Sequence, residues 1–202
     1  MRILLIVFGL TGLFIAGQAA VGFFAPPEGG YFEDRVIRVT REVAAPETPL
    51  TDARSGAEMT LAAFRGEVAV VSLWATWCSV CLKEMPKLAA LQERYAGKGL
   101  SIVTVSVDEA DAAAKVLAHL DQQGLGGLPP LLDPDHLLAA QVGMRGTPTT
   151  IVVDRFGQVV AAFEGLAPWG DEATHDWLAA LLAAESAEAS RLLLTSGAVA
   201  GG

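Results

Sequence analysis

The alternation of apolar and polar positions divides this chain into a long uncharged head, a proline-marked approach, and a run of short strands and amphipathic helices. Residues 67–74, after a turn at Gly66, form a β-branched and almost continuously apolar run, the pattern of a buried strand. Leu82, Met85, Leu88 and Leu91 then recur every three residues, with Tyr95 four further on and Lys83, Lys87 and Glu93 between them. That spacing predicts an amphipathic helix ending near Gly97 and Gly99, kinked where Pro86 cannot donate to the preceding turn. Residues 100–107 read as a second apolar strand. Asp108 is placed to cap a helix running to His119 or Gln122, with Gly124 as its stop. Leu131 and Leu132 make a brief extended piece after Pro129-Pro130. Asp133-Pro134 read as N-cap and first-turn proline of a short helix ending near Gly143. Residues 149–153 and 158–163 read as two strands joined by Asp154-Arg155-Phe156-Gly157, a hairpin with glycine in the left-handed position. A last helix over about 171–185 sets Trp177, Leu178, Leu181 and Leu182 on one face. The succession of strand, helix, strand, helix, helix, hairpin and helix predicts an α/β fold with a mixed sheet covered on both faces.

Ahead of this segment the pattern changes. Residues 3–25 carry no charge, only Arg2 precedes them, and Thr11 and Gln18 are the strongly polar interruptions. A run of about 23 residues is long enough to span a bilayer. It also has the form of a signal peptide, with Gln18-Ala19-Ala20 offering a cleavage site. The apolar run continues through Val21-Gly22-Phe23-Phe24, past that point, so an uncleaved membrane anchor is the preferred reading. In either case the domain is exported, anchored on the periplasmic side of the inner membrane or secreted after cleavage, where disulfides form and persist. Residues 26–49, with prolines at 26, 27, 46 and 49, read as a tether and approach, with 36–39 a candidate edge strand. The domain proper is expected over 50–185, long enough for a single core, and 186–202 as a frayed tail. A net charge of −9 without any basic patch excludes nucleic acid as a partner.

The chemistry is concentrated in Trp77-Cys78-Ser79-Val80-Cys81, which holds both cysteines of the chain. Cysteines two residues apart can close into a disulfide with little movement. A thiolate at the first position lies at a helix N-terminus, where the backbone dipole favours negative charge. A structural zinc site needs four ligands, and His119, His136 and His175 lack the paired spacing that would complete one. A purely structural disulfide closing so short a loop removes little unfolded-state entropy. Thiol–disulfide exchange is the remaining reading.

The strand–helix order, Trp74-Ala75-Thr76-Trp77-Cys78-x-x-Cys81 and Gly146-Thr147-Pro148-Thr149 together resemble the thioredoxin superfamily. More closely, they resemble its extracytoplasmic branch of TlpA-, ResA- and CcmG-type thiol–disulfide oxidoreductases. The resemblance spans about residues 50–182 and implies a thioredoxin-like fold and a protein disulfide reductase. It implies that Thr147-Pro148 is a cis-proline loop, that Cys78 attacks and that Cys81 resolves. It places Trp77, Thr147 and Pro148 at the docking surface for clients. Glu84, three positions after the second cysteine, would lie under the site and assist proton movement; read from the residues alone, it is equally a surface carboxylate paired with Lys83 or Lys87. Pro168-Trp169 also match the branch, with Trp169 readable as a core or rim aromatic. Two positions depart from the pattern. Ser72 stands where cytoplasmic thioredoxins carry a buried acid, and Val80 stands where many relatives have proline. No cofactor and no resident metal is implied. The implied partners are protein thiol or disulfide clients, among them apocytochrome c cysteines or the thiols of a copper-site protein, and a membrane electron donor. The rival readings are a Cu(I) chaperone using Cys78, Cys81 and His136, and an oxidant that donates its disulfide.

Overall fold

A computed structural model describes residues 31–193; the uncharged head, with its expected anchor or signal role, lies outside them. In chain order the elements are α1 (Tyr31–Arg35), β1 (Ile37–Arg38), β2 (Leu50–Asp52), β3 (Glu58–Met59), β4 (Val68–Trp74), α2 (Ser79–Tyr95), β5 (Leu100–Ser106) and α3 (Ala113–Gln122). They continue as β6 (Pro130–Leu132), α4 (Leu137–Gln141), β7 (Thr149–Val153), β8 (Val159–Glu164), α5 (Glu172–Ala183) and α6 (Ala187–Leu192). Short 3₁₀ turns at Leu61–Phe64 and Ala110–Ala112 precede β4 and α3.

The strands form one mixed sheet in the order β1-β8-β7-β4-β5-β6-β2-β3. Every residue of β4 is buried, which is why this strand takes a central place. It pairs in parallel with β5, Val68 opposite Leu100 and Trp74 opposite Ser106, and antiparallel with β7, Leu73 opposite Thr149. The parallel β4–α2–β5 unit brings the start of α2 to the C-terminal end of β4, where open α/β sheets place their ligands. The hairpin expected at 154–157 is present, with Gly157 at φ 81°. On β8, Phe163 packs against Trp169, and Phe32 of α1 sits between Phe163 and Trp177 of α5.

The structure corrects four expectations. Asp108 does not cap a helix: α3 begins at Ala113, and the Asp108 side chain turns back to bond Thr76 and Ser106. Asp133 serves α4 from further away, because His136 takes a left-handed turn (φ 55°) before the helix starts. Its carboxylate accepts the N–H groups of Leu137, Leu138 and Ala139. The packed body reaches beyond 50 toward the N-terminus: Phe32 is fully buried, β1 pairs with β8, and Ala44 bridges Gln158. The first part of the expected tail is the helix α6, capped by Ser186 and burying Ser190.

Because β1 lies at one edge and β2–β3 at the other, residues 39–49 cross from edge to edge. Val39 donates to Val160 O, Val159 to Val43 O, and Ala45 to Gly157 O, so the crossing segment is bonded along β8.

Candidate active site

β4 ends at Trp74, whose carbonyl accepts Val107 N–H, and the chain then leaves the sheet. Cys78 N–H donates to Ala75 O at 3.1 Å and closes a turn that hands the chain to α2. Cys78 is the N-cap of that helix, in an extended conformation, and its Sγ accepts Cys81 N–H at 3.1 Å. A cysteine thus occupies the place usually held by Ser, Thr or Asp, and its sulfur receives one of the helix's orphan donors. Cys78 and Cys81 are joined as a disulfide with Cα atoms 5.3 Å apart. Both cysteines are buried, Cys78 slightly less than Cys81, at 7 % and 1 % residue exposure. Beside them Trp77 is 67 % exposed, a large aromatic face left in solvent at the start of the helix.

One turn into α2 lies Glu84, three residues after Cys81 and so on a neighbouring position of the same helix face. It is buried, which removes the surface pairing with Lys83 or Lys87 from consideration. Its Oε1 accepts Ala167 N–H at 2.9 Å and Trp169 Nε1–H at 3.0 Å. Burial pushes the Glu84 carboxyl above its ordinary pKa, and the two donors and the Lys87 charge only partly oppose that shift. A buried carboxyl raised in this way is suited to hold a proton for a neighbouring group on the same helix face. Trp169 is a core aromatic with its polar edge on Glu84.

A second buried carboxylate lies on the other side of the loop. Asp108 accepts Thr76 N–H at 2.8 Å, Thr76 Oγ1–H at 2.7 Å and Ser106 Oγ–H at 2.6 Å. Burial disfavours its charge, but the Ser106 and Thr76 bonds and the Lys115 charge outweigh burial and hold the carboxyl below its ordinary pKa. It is a fixed anion tied to the residue two positions before Cys78. The two acids are therefore shifted in opposite directions, Glu84 toward its protonated form and Asp108 toward its ionised form.

Thr147-Pro148 is a cis peptide. Pro148 is buried, Thr147 is half-buried, and the Pro148 carbonyl accepts Gly165 N–H at 2.8 Å. Ser72 is buried on β4. His136 is exposed and lines a surface cleft together with Trp77, Asp108 and Lys115. Among the described residues no group of three or more His, Cys, Asp or Glu side chains is arranged to hold a metal ion. The sequence reading missed Thr76 and the role of Asp108. Its signal was the sequence Ser106-Val107-Asp108, a hydroxyl and a carboxylate at the end of a buried strand.

Comparison with known proteins agrees with this arrangement. Residues 40–181 match the Redoxin family. The thiol-disulfide oxidoreductase ResA of Bacillus anthracis is 32% identical over 149 residues, covering 73% of this chain and 82% of that protein. The ResA of Bacillus subtilis (strain 168) is 30% identical over 122 residues, 60% of this chain and 65% of its own. Among solved structures, a thiol:disulfide interchange protein of the thioredoxin family from Chlorobium tepidum superposes with a TM-score of 0.54 at 26% identity, covering 66% of this chain and 92% of that one. A secreted thiol-disulfide isomerase from Corynebacterium glutamicum shares the fold, with a TM-score of 0.62 at 21% identity over 80% of this chain and 97% of that one.

Proposed function

The chain belongs to the redoxin family, among ResA-like thiol–disulfide oxidoreductases of thioredoxin fold, and we propose that it is a protein disulfide reductase working through Cys78 and Cys81. The observation that carries this reading is the pair of cysteines at the start of α2 with a buried, proton-accepting Glu84 three residues beyond. In the reduced form Cys78, the N-cap of α2 and the less buried of the two residues, is held as a thiolate by the helix N-terminus. It attacks one sulfur of a client disulfide; that S–S bond breaks, the far client sulfur leaves as a thiolate, and Cys78 is joined to the client. Cys81 gives its proton to Glu84 and attacks Cys78, releasing the second client thiolate. The client has gained two electrons, and the Cys78–Cys81 disulfide seen here is the oxidised product. Trp77, Thr147 and Pro148 receive the client segment, an assignment supported by the exposure of Trp77 and by the β4–β7 register, which sets Thr149 opposite Leu73 near the end of β4 that leads to the cysteines.

The reading extends to place and partners. The uncharged residues 3–25 support a membrane anchor and an extracytoplasmic domain. The names of the relatives support clients with protein thiols, and cytochrome c or copper-site cysteines fit that class. A membrane electron donor would restore the dithiol.

Equilibration with glutathione buffers of set potential, counting free thiols, tests the direction. A midpoint more negative than about −220 mV fits a reductant, whereas one near −120 mV makes the protein a disulfide donor. Separate Cys78→Ala and Cys81→Ala variants test the roles. The Cys81 variant accumulates client mixed disulfides through Cys78, and accumulation by the other variant instead reverses the assignment. Glu84→Gln slows exchange near neutral pH; an unchanged pH–rate profile removes Glu84 from the mechanism.

A further inference from the structure

The loop after β8 is tied at four successive residues to three different parts of the fold. Gly165 N–H donates to the carbonyl of Pro148 in the cis-proline loop at 2.8 Å. Ala167 N–H donates to Glu84 Oε1 at 2.9 Å, and Trp169, two residues on, places its indole N–H on the same oxygen at 3.0 Å. The carbonyls that flank Gly165 are instead bonded from α1. Arg35 Nη2 donates to Glu164 O at 2.7 Å and to Leu166 O at 3.1 Å. One guanidinium nitrogen thus holds the carbonyls on either side of Gly165, while the N–H groups of Gly165 and Ala167 serve the cis-proline loop and Glu84. The approach requires glycine at the centre: Gly165 has φ +71°, and a Cβ there would stand 3.2 Å from Arg35 Nη2.

Arg35 is itself held in place. It ends α1, whose Phe32 is fully buried with its ring 5.4 Å from Trp177 and 6.1 Å from Phe163. Phe163 in turn meets the edge of Trp169 at 5.3 Å. The helix lies ahead of residue 40, where the match with the redoxin family begins. Arg35 therefore braces the site from a segment that precedes the residues matching the Redoxin family.

We propose that Arg35 is a positioning residue for the redox site, clamping the 164–167 loop so that Ala167 and Trp169 keep their donors on Glu84. The proposal rests on the reading of Glu84 as the proton acceptor, but it can be tested without exchange kinetics. Lys87 on α2 is the charged side chain that also favours the Glu84 carboxylate, and it is left untouched by the variants used.

In the full chain with its disulfide closed, no thiol titrates, and the Trp169 Nε1–H resonance reports the ionisation of the carboxylate it bonds. Glu84→Gln abolishes that titration and so assigns it. Arg35→Met keeps the aliphatic stem and removes the donors. The loop then holds its N–H groups less firmly on a carboxylate that stays buried, and the titration midpoint moves to higher pH. Arg35→Lys returns it most of the way. A midpoint that is unchanged in Arg35→Met while the melting temperature drops, or one that falls because water reaches Glu84, overturns the proposal. If instead the midpoint rises but Glu84→Gln leaves the exchange profile of the wild type intact, Arg35 positions Glu84 as proposed and the proton-carrying role of Glu84 is what fails.

Discussion

Replacing Asp108 separates two contributions that its carboxylate makes to the loop before Cys78. In Asp108→Ala the buried Thr76 N–H loses its acceptor, at a cost of about 1–3 kcal/mol. The hydroxyls of Thr76 and Ser106 also lose theirs, about 1 kcal/mol each, although each can turn to another acceptor. The expected loss is about 3–5 kcal/mol, a large part of the roughly 5–15 kcal/mol that holds a domain together. Asp108→Asn keeps one carbonyl oxygen for the N–H and can donate to a hydroxyl, so it loses mainly the charge, about 1–2 kcal/mol. Urea unfolding of the oxidised protein at pH 7, fitted with a common m-value, measures both. The sign of the pH dependence follows from the depressed pKa of Asp108. Its stabilisation is present above the ordinary aspartate range and is lost as pH falls through the lower folded value. The gap between wild type and Asp108→Asn therefore closes in acid. An alanine variant within 1 kcal/mol of wild type, or an asparagine variant as damaged as alanine at every pH, refutes this account.

Phe32→Ala empties a fully buried aromatic site between Phe163 and Trp177 and should cost about 3–5 kcal/mol in the same assay; a loss below 1 kcal/mol would mean that α1 is not docked. Glu84→Gln should be more stable than wild type at pH 8 and lose that advantage in acid. The folded pKa of Glu84 is raised, so the wild type is fully stable below the ordinary glutamate range and loses stability as pH rises through the folded value; parallel stability curves contradict this. Trp77→Ala should leave stability within about 0.5 kcal/mol, because the ring is mostly in solvent. Its exchange with a protein client should fall while exchange with a small disulfide is kept, and equal losses with both would remove Trp77 from docking.

The strands and helices that carry the site were legible because each is coded locally. β4 is an unbroken apolar run, and α2 shows its core-facing residues every third or fourth position. The hairpin glycine sits where a positive φ is needed. What escaped depends on pairs distant in sequence. Asp108 looked like a helix cap because an acid before an apolar segment favours that role, yet three donors from Thr76 and Ser106 outbid the helix N-terminus. Glu84 could be read either way until Ala167 and Trp169, more than eighty residues later, were seen to cover it. α1 escaped for the same reason, a short segment with few apolar residues that owes its structure to what it packs on, whereas the edge strand expected at 36–39 is present as β1.

The two edges of the sheet bear on how such a molecule can live among unfolded chains. β1 and β3 are two residues long, and the rest of the outer side of β8 is occupied by the bonds of Val39, Val43 and Ala45. An extended polypeptide seeking to lengthen the sheet finds almost no ladder to join, and neither does a second copy. If the proposed docking surface is right, contact with client chains rests on Trp77 and the cis-proline loop rather than on lengthening of the sheet.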